Sequence, residues 1–267
     1  MNTLEKIIKN DPEVKDLKID PKDYHVVYQY ISIRDSNLDP NYTPKLNLSP
    51  YVHITYVPTK EKIIKDQTRL IKDNLETFES DIYISDASLN DFILVDNNHE
   101  KALNYSKRFI NDPKNYHKGM YIHGPYGTGK SFFLSGLANE LTKLGVRVVF
   151  VFIPDFVRSI KGAISTGELE KKINILKKCD YLILDDLGGE YYSAWFRDEI
   201  LLPIIHYRLN ADLPIFVSSN YSLKELAETL IKDSKGEGAT QVLRLMQRIT
   251  DMTKNFRFNK TLDDLDK

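Results

Sequence analysis

The residues best suited to chemistry are Gly124-Pro125-Tyr126-Gly127-Thr128-Gly129-Lys130-Ser131, which fit the phosphate-loop pattern GxxxxGK[ST]. Glycines at these offsets let backbone N–H groups turn inward and cradle phosphate oxygens with no Cβ in the way. A helix beginning near Lys130 would aim the positive end of its dipole at the same anion. The Lys130 ammonium has the reach for the β- and γ-phosphates, and the Ser131 hydroxyl can complete a Mg²⁺ shell. With no nucleotide bound, Lys130 is expected to stand exposed and to play no part in holding the fold. The chemistry is nucleoside triphosphate binding.

A second set follows about 55 residues downstream, where Tyr181-Leu182-Ile183-Leu184 closes on Asp185 and Asp186. A buried strand ending this way delivers Asp185 from its carboxyl end to a Mg²⁺ ion and leaves Asp186 beside the water that attacks the γ-phosphate. Read without the phosphate loop, the same pair could simply cap a strand-to-helix turn. Pro214-Ile215-Phe216-Val217-Ser218-Ser219-Asn220 is a further apolar strand with a polar end. Asn220 there could orient the attacking water through its amide, or serve as a turn or N-cap residue.

The elements that must position these groups are legible from periodicity. Met120 onward is a short apolar strand, and after the loop Phe133, Leu134, Leu137 and Leu141 mark a helix ended by Gly145. Val146 to Ile153 is a buried strand; Pro154-Asp155 opens a helix with Val157, Ile160 and Ile164 on one face, and a second helical piece ends near Lys178. Before the loop, Asp86 to Phe92 and a helix over His99 to Ile110 could sandwich a nucleotide base. Strands alternating with helices specify a parallel α/β sheet with its site at the strand carboxyl ends.

The first part of the chain reads differently. Leu4, Ile7 and Ile8 suggest a short amphipathic helix; Tyr24 to Ile33, β-branched and aromatic, reads as a strand. A loop carrying Pro40, Pro44 and Pro50 leads to a second strand over Tyr51 to Val57, and Lys60 to Glu79 is charged and helical. The division expected is a small α+β adaptor with a helical linker over 1–79 and the nucleotide-binding domain over 80–267.

Composition sets outer bounds. With 42% hydrophobic and 28% charged residues the 267-residue chain is an ordinary globular one, and its net charge of −1 offers no overall basic surface for nucleic acid or membrane. The single cysteine, Cys179, excludes an internal disulfide and a cysteine-cluster zinc site. The charged N-terminus MNTLEKIIKNDPEVKD has no signal-peptide core, and the apolar run around Val148 to Pro154 falls well short of the ~20 residues a membrane span needs. A soluble, cytoplasmic protein is expected.

Several segments together resemble the bacterial replicative-helicase loaders, the primosomal DnaI/DnaC-type branch of the AAA+ ATPases, and most of all the DnaI kind. They are GPYGTGKS, YLILDDLGGE, Trp195-Phe196-Arg197-Asp198-Glu199, His206-Tyr207-Arg208, Leu213-Pro214 with SSN, and Arg244-Leu245-Met246-Gln247-Arg248-Ile249, covering most of 115–258; NDPEVKDL near the start is also similar. The resemblance implies a five-stranded AAA+ core with the sensor strand between the loop strand and the strand ending at Asp185. It places Asn220 at the sensor position and Arg248, or less aptly Arg244, as an arginine finger toward a neighbouring subunit. It implies a weak ATPase that self-assembles, binds the hexameric replicative helicase through its N-terminal module and helps place it on single-stranded DNA in primosome assembly. Single-strand contacts would come from Ser193 and Trp195, with Arg158 and Lys161, and Lys171, Lys172, Lys177 and Lys178 beyond; these cations also suit a solvated helix face, and Trp195 a packing role.

The chain departs from the family pattern in two places. Thr59 and Glu61 stand about where a zinc-binding cysteine pair is expected, so ATP and Mg²⁺ are the cofactors expected and zinc is not. The usual basic tail is acidic here, Thr261-Leu262-Asp263-Asp264-Leu265-Asp266-Lys267, and Arg257, the one candidate for a second sensor, reads rather as a strand residue. Two other functions share the phosphate loop: a transposition helper ATPase and a small-molecule kinase. The kinase would need an arginine-lined lid, and only Arg147 and Arg158 lie between the two motifs.

Overall fold

The computed structural model describes residues 3–36, 39–78, 85–189, 193–233 and 238–261, without the side chains of 3, 67, 70–74, 78, 161, 163–166 and 233. Contacts divide the chain into two compact units, Met1–Arg69 and Leu70–Lys267.

In the first unit α1 (Thr3–Asn10) and α2 (Tyr24–Ser36) accompany a hairpin of β1 (Tyr42–Asn47) and β2 (His53–Pro58), antiparallel from Tyr42↔Pro58 to Asn47↔His53. The strand expected over Tyr24 to Ile33 is a helix. Its buried residues Val27, Tyr30 and Ile31 recur at i, i+3 and i+4 and join Ile8 and Val14 in a small core. The dense β-branched and aromatic content masked that spacing, because propensity is weaker than the gain from burying one helical face. The proline-bearing loop also contains β1, with Pro44 tolerated because a two-stranded ribbon has two free edges.

α3 (Lys60–Asn74) follows, and β3 (Leu75–Phe78) opens the second unit's sheet. Then come α4 (Asn97–Asn111), β4 (Gly119–His123), α5 (Lys130–Lys143), β5 (Val148–Phe152), α6 (Ile153–Thr166), α7 (Leu169–Lys178) and β6 (Tyr181–Asp185). A π-helical turn over Phe196–Leu201 runs into α8 (Leu202–Asn210), followed by β7 (Ile215–Ser219), α9 (Leu223–Asp233), α10 (Ala239–Met252) and β8 (Thr253–Arg257). Among the described residues the sheet has six parallel strands in the order β3-β5-β6-β7-β4-β8, one more than expected. The extra strand is β3, which pairs with β5 from Leu75↔Val148 to Phe78↔Val151. β7 lies between β4 and β6, as the resemblance implied.

Strand alternation sorts the core onto two faces. Tyr121, Val149, Val151, Leu182, Leu184, Ile215 and Val217 meet α6 to α10, whereas Met120, Ile122, Val148, Phe150, Ile183 and Phe216 meet α4 and α5. Arg208 is buried without a carboxylate: its guanidinium donates to the carbonyls of Leu176, Cys179, Asp180 and Pro214, tying α7 and the start of β7 to α8. This sandwich of layers holds the carboxyl ends of β4, β6 and β7 side by side. No helix among the described residues is long and apolar enough to cross a membrane.

Candidate nucleotide-binding site

The loop between β4 and α5 is shaped by close approaches. At Gly124, φ is +148° and a Cβ would come within 1.8 Å of the Phe258 carbonyl oxygen, so only glycine fits where β8 leaves the sheet. Gly129 sits at φ +83° as the residue before α5, against the Phe92 ring. Together they set the loop around a cavity of about 320 Å³ lined by Tyr126 to Phe132 with Phe152, Asp186, Ser218 and Asn220.

Lys130 is not exposed. It retains 8% of its surface, and its Nζ donates to the Gly124 and Pro125 carbonyls, each at 2.8 Å, and to Asn220 Oδ1 at 3.0 Å. Burial pushes its ammonium below the usual lysine range, with the nearby Asp185 and Asp186 carboxylates working against that. The loop folds back over the first turn of α5 and encloses the side chain, a tertiary approach that sequence spacing does not convey.

Asp185, at the end of β6, is fully buried and accepts from Ser131 Oγ at 2.9 Å and from Ser218 Oγ. Burial raises its carboxyl above the usual carboxylate range, and those hydroxyls only partly offset it. Asp186 follows at φ +59°, a left-handed turn that aspartate tolerates better than most residues, with its N–H donating to Ser218 Oγ at 2.8 Å. Asn220, just beyond β7, donates from Nδ2 to Asp186 Oδ1 at 3.1 Å while its Oδ1 accepts from Lys130. The fold thus brings Lys130, Ser131, Asp185, Asp186 and Asn220 to one place.

Beside the loop a second, largely apolar cavity of about 230 Å³ is lined by Asp91, Phe92, Ile93, Val95, His99, Gly127 to Gly129, Phe132 and Lys260. It lies in the region where the segments before the loop were expected to hold a nucleotide base, and its lining is mostly apolar, as such a pocket requires. Two residues here were not singled out from sequence. Ser218 bridges Asp185 and the Asp186 N–H, and its place before Ser219-Asn220 at a strand end was the available signal. His99 contacts the loop, and the N-cap spacing Asp96-x-x-His99 was the only hint; Asp96 accepts from the N–H groups of Asn98 and His99.

The remaining candidates lie elsewhere. Arg248 is half-buried on α10, between the buried Leu245 and Ile249, and Arg244 is exposed; neither lines the two cavities. Arg257 is exposed at the end of β8. Ser193 is half-buried and its Oγ accepts from the Phe196 N–H, while Trp195 is 37% exposed and Phe196, not Trp195, fills the core. Arg158 is exposed and ion-paired with Asp155 on α6. The Lys161 side chain, Glu190 of the LGGE run and the acidic tail beyond Thr261 lie outside the described residues.

The family model for IstB-like ATP binding proteins matches residues 54–261. The chain is 30% identical over 263 residues to the replicative helicase loader DnaI of Bacillus subtilis (strain 168), covering 91% of this chain and 83% of that one. In structure it resembles the crystal structure of DnaI, with a TM-score of 0.64, 33% identity, and coverage of 69% of this chain and 97% of that one. A primosome component from Streptococcus pyogenes serotype M3, described as putative in the name of its crystal structure, aligns with a TM-score of 0.59 and 28% identity over 72% of this chain and 96% of that one. With its parallel sheet, its phosphate loop and these relatives, the chain belongs to the DnaI-type replicative helicase loaders, AAA+ proteins with an IstB-like ATP-binding domain.

Proposed function

We propose that this protein is an ATP-dependent loader that binds the hexameric replicative helicase and helps place it on single-stranded DNA in the cytoplasm, with a weak ATPase activity. The observation that carries the enzymatic part is the linked chain Lys130–Asn220–Asp186 set beside the Ser131–Asp185 pair at one sheet edge.

Gly124 to Ser131 would cradle the phosphates. The Ser131 hydroxyl and the Asp185 carboxylate are hard oxygen donors 2.9 Å apart, a fit for Mg²⁺ with water and phosphate oxygens completing its shell. When bound, the ion would offset negative charge on the β- and γ-phosphates. Asp186 and Asn220 then face the γ-phosphate end of the cavity, where a carboxylate and an amide can hold a water for in-line attack. Asp186→Asn should keep Mg·ATP affinity within about threefold while slowing hydrolysis about 10²-fold or more, as loss of a positioned general base does. Binding and single-turnover hydrolysis measured on the same preparation check this; unchanged turnover removes Asp186 from the role.

Arg248 is proposed as the finger supplied to a neighbouring subunit, and Arg158, Lys161, Ser193 and Trp195 as contacts to single-stranded DNA, with the indole stacking on a base. Residues 1–79 are proposed as the zinc-independent helicase adaptor; the described core of Ile8, Val14, Val27, Tyr30 and Ile31 supports a folded unit there. In a pull-down, the full chain should capture the replicative helicase, with or without EDTA, and a chain lacking residues 1–69, which keeps β3 in the sheet, should not. Retention by the shortened chain would move helicase binding to the AAA+ domain. Phosphoryl transfer from ATP to a metabolite, with no response to helicase or DNA, would favour a kinase instead.

A further inference from the structure

His99 keeps only 1% of its surface exposed, and both its ring nitrogens stand within hydrogen-bond distance of an oxygen. Nδ1 is 2.8 Å from Asp96 Oδ1, and Nε2 is 3.2 Å from the Thr128 carbonyl oxygen in the phosphate loop. The ring stacks on Phe258 with centroids 4.2 Å apart and tilts against Phe92 at 5.5 Å, so it cannot swing away. Neither oxygen belongs to a donor. A backbone carbonyl only accepts, and Asp96 is a carboxylate: burial would raise it, but the N–H groups of His99 and Asn98 and the imidazole itself outweigh burial and hold it below its ordinary value. Two acceptors call for two N–H groups. A neutral imidazole has one, and the imidazolium has both.

The Thr128 contact matters because a trans peptide points its C=O and its N–H in opposite directions. With the Thr128 carbonyl drawn to His99, the Gly129 N–H is directed away from the ring, and Gly129 lines the phosphate cavity as well as the apolar one. Phe92 abuts Gly129, with 3.1 Å between its ring and the point a Cβ would take, so the same aromatic group backs the glycine and the histidine. The peptide is held by its oxygen.

We propose that His99, in its doubly protonated form, is a positioning residue for the nucleotide, holding the Thr128 carbonyl so that the Gly129 N–H is presented to a bound phosphate. Loss of the proton leaves Nδ1–H on Asp96 and turns an Nε2 lone pair toward the Thr128 oxygen, so the two acceptors repel and the peptide loses its anchor. Nucleotide affinity is then full while the ring donates to both acceptors and falls when Nε2 no longer carries a proton. Among the described residues, the other charged groups facing this ring and cavity are Asp96 at the start of α4, Asp91 in the segment before it and Lys260 after β8.

The proposal rests on the nucleotide site described above, and one set of titrations separates the two. Binding of a fluorescent ATP analogue is measured from about pH 5.5 to about pH 8.5 for the full chain and for His99→Gln. The wild type should lose about tenfold in affinity across this range beyond the change seen in His99→Gln, the worth of one charge-assisted hydrogen bond. Gln keeps a donor that does not titrate, so the variant should report only the ionisation of the phosphates and of the remaining groups. Parallel profiles in a folded variant overturn the role of His99 while leaving the site intact; absence of binding by the wild type at every pH overturns the site itself. Should His99→Gln fail to fold, ¹⁵N spectra of the wild-type ring decide: two protonated nitrogens at the pH of tight binding support the proposal, and a neutral tautomer there rejects it.

Discussion

Lys130→Ala should lower ATP affinity by about a hundredfold or more, the usual result of truncating a buried, hydrogen-bonded charge at a binding interface. It should also melt a few degrees earlier without nucleotide. The ammonium has three donors, and they go to the Gly124 carbonyl, the Pro125 carbonyl and Asn220 Oδ1. Alanine would leave the Gly124 carbonyl and Asn220 Oδ1 without this donor, at a cost of about 1–3 kcal/mol per unsatisfied buried group, while the Pro125 carbonyl keeps the Thr128 hydroxyl. Part of this is offset because burial already disfavours the charged lysine. A net loss of about 1 kcal/mol corresponds to about 2–4 °C in a domain of this size. The same count bears on mechanism: a phosphate oxygen can take a Lys130 proton only by displacing one of the three acceptors. If Asn220 is the one displaced, its amide becomes available near Asp186. Titration with a fluorescent ATP analogue and a thermal melt of the apo variant check the two halves independently. Near-normal ATP affinity in a folded variant would reject the phosphate-loop assignment.

Arg248→Ala should retain ATP binding and lose about tenfold or more of the ATPase rate under conditions that promote assembly. An arginine finger places a fixed positive charge where negative charge spreads over the γ-phosphoryl group, and in GTPases this is worth about 10³–10⁵ in rate. A smaller loss is expected of a slow loader ATPase. Arg248 lies on α10 and lines neither of the two cavities of its own chain, so the proposed finger role has to be exercised across a subunit boundary. Its neighbours Leu245, Met246 and Ile249 are buried and anchor the helix. Lys130→Ala and Arg248→Ala should therefore each be nearly inactive for complementary reasons. The first offers a finger but binds ATP too weakly; the second binds ATP but offers no finger. Mixed on helicase or single-stranded DNA, they should regain part of the activity at the interfaces that pair an intact loop with an intact arginine. Confirmed mixed assemblies without regained activity would confine Arg248 to its own subunit or to packing.

The primary sequence by itself determined the parts of this protein whose causes are local. Gly124 to Ser131 prescribes a turn into a helix because glycine permits the backbone there and Lys130 begins a regular apolar stripe, and α5 starts at that residue. The apolar run before Asp185 is short, unbroken and followed by turn residues, which suffices for a buried parallel strand; the same holds for β5 and β7. Other features were decided by partners distant along the chain. Tyr24 to Ile33 has residues that suit a strand, yet it became a helix because its one apolar face could be buried against Ile8 and Val14. Leu75 to Phe78 is too short to declare itself and is a strand because β5 offers an open edge to pair with. The burial of Lys130 and the contact of His99 with Thr128, 29 residues away, arise from the folding of one segment against another. Periodicity records which face of an element is apolar; which surface covers that face, and which polar groups are caught beneath it, is set by long-range packing.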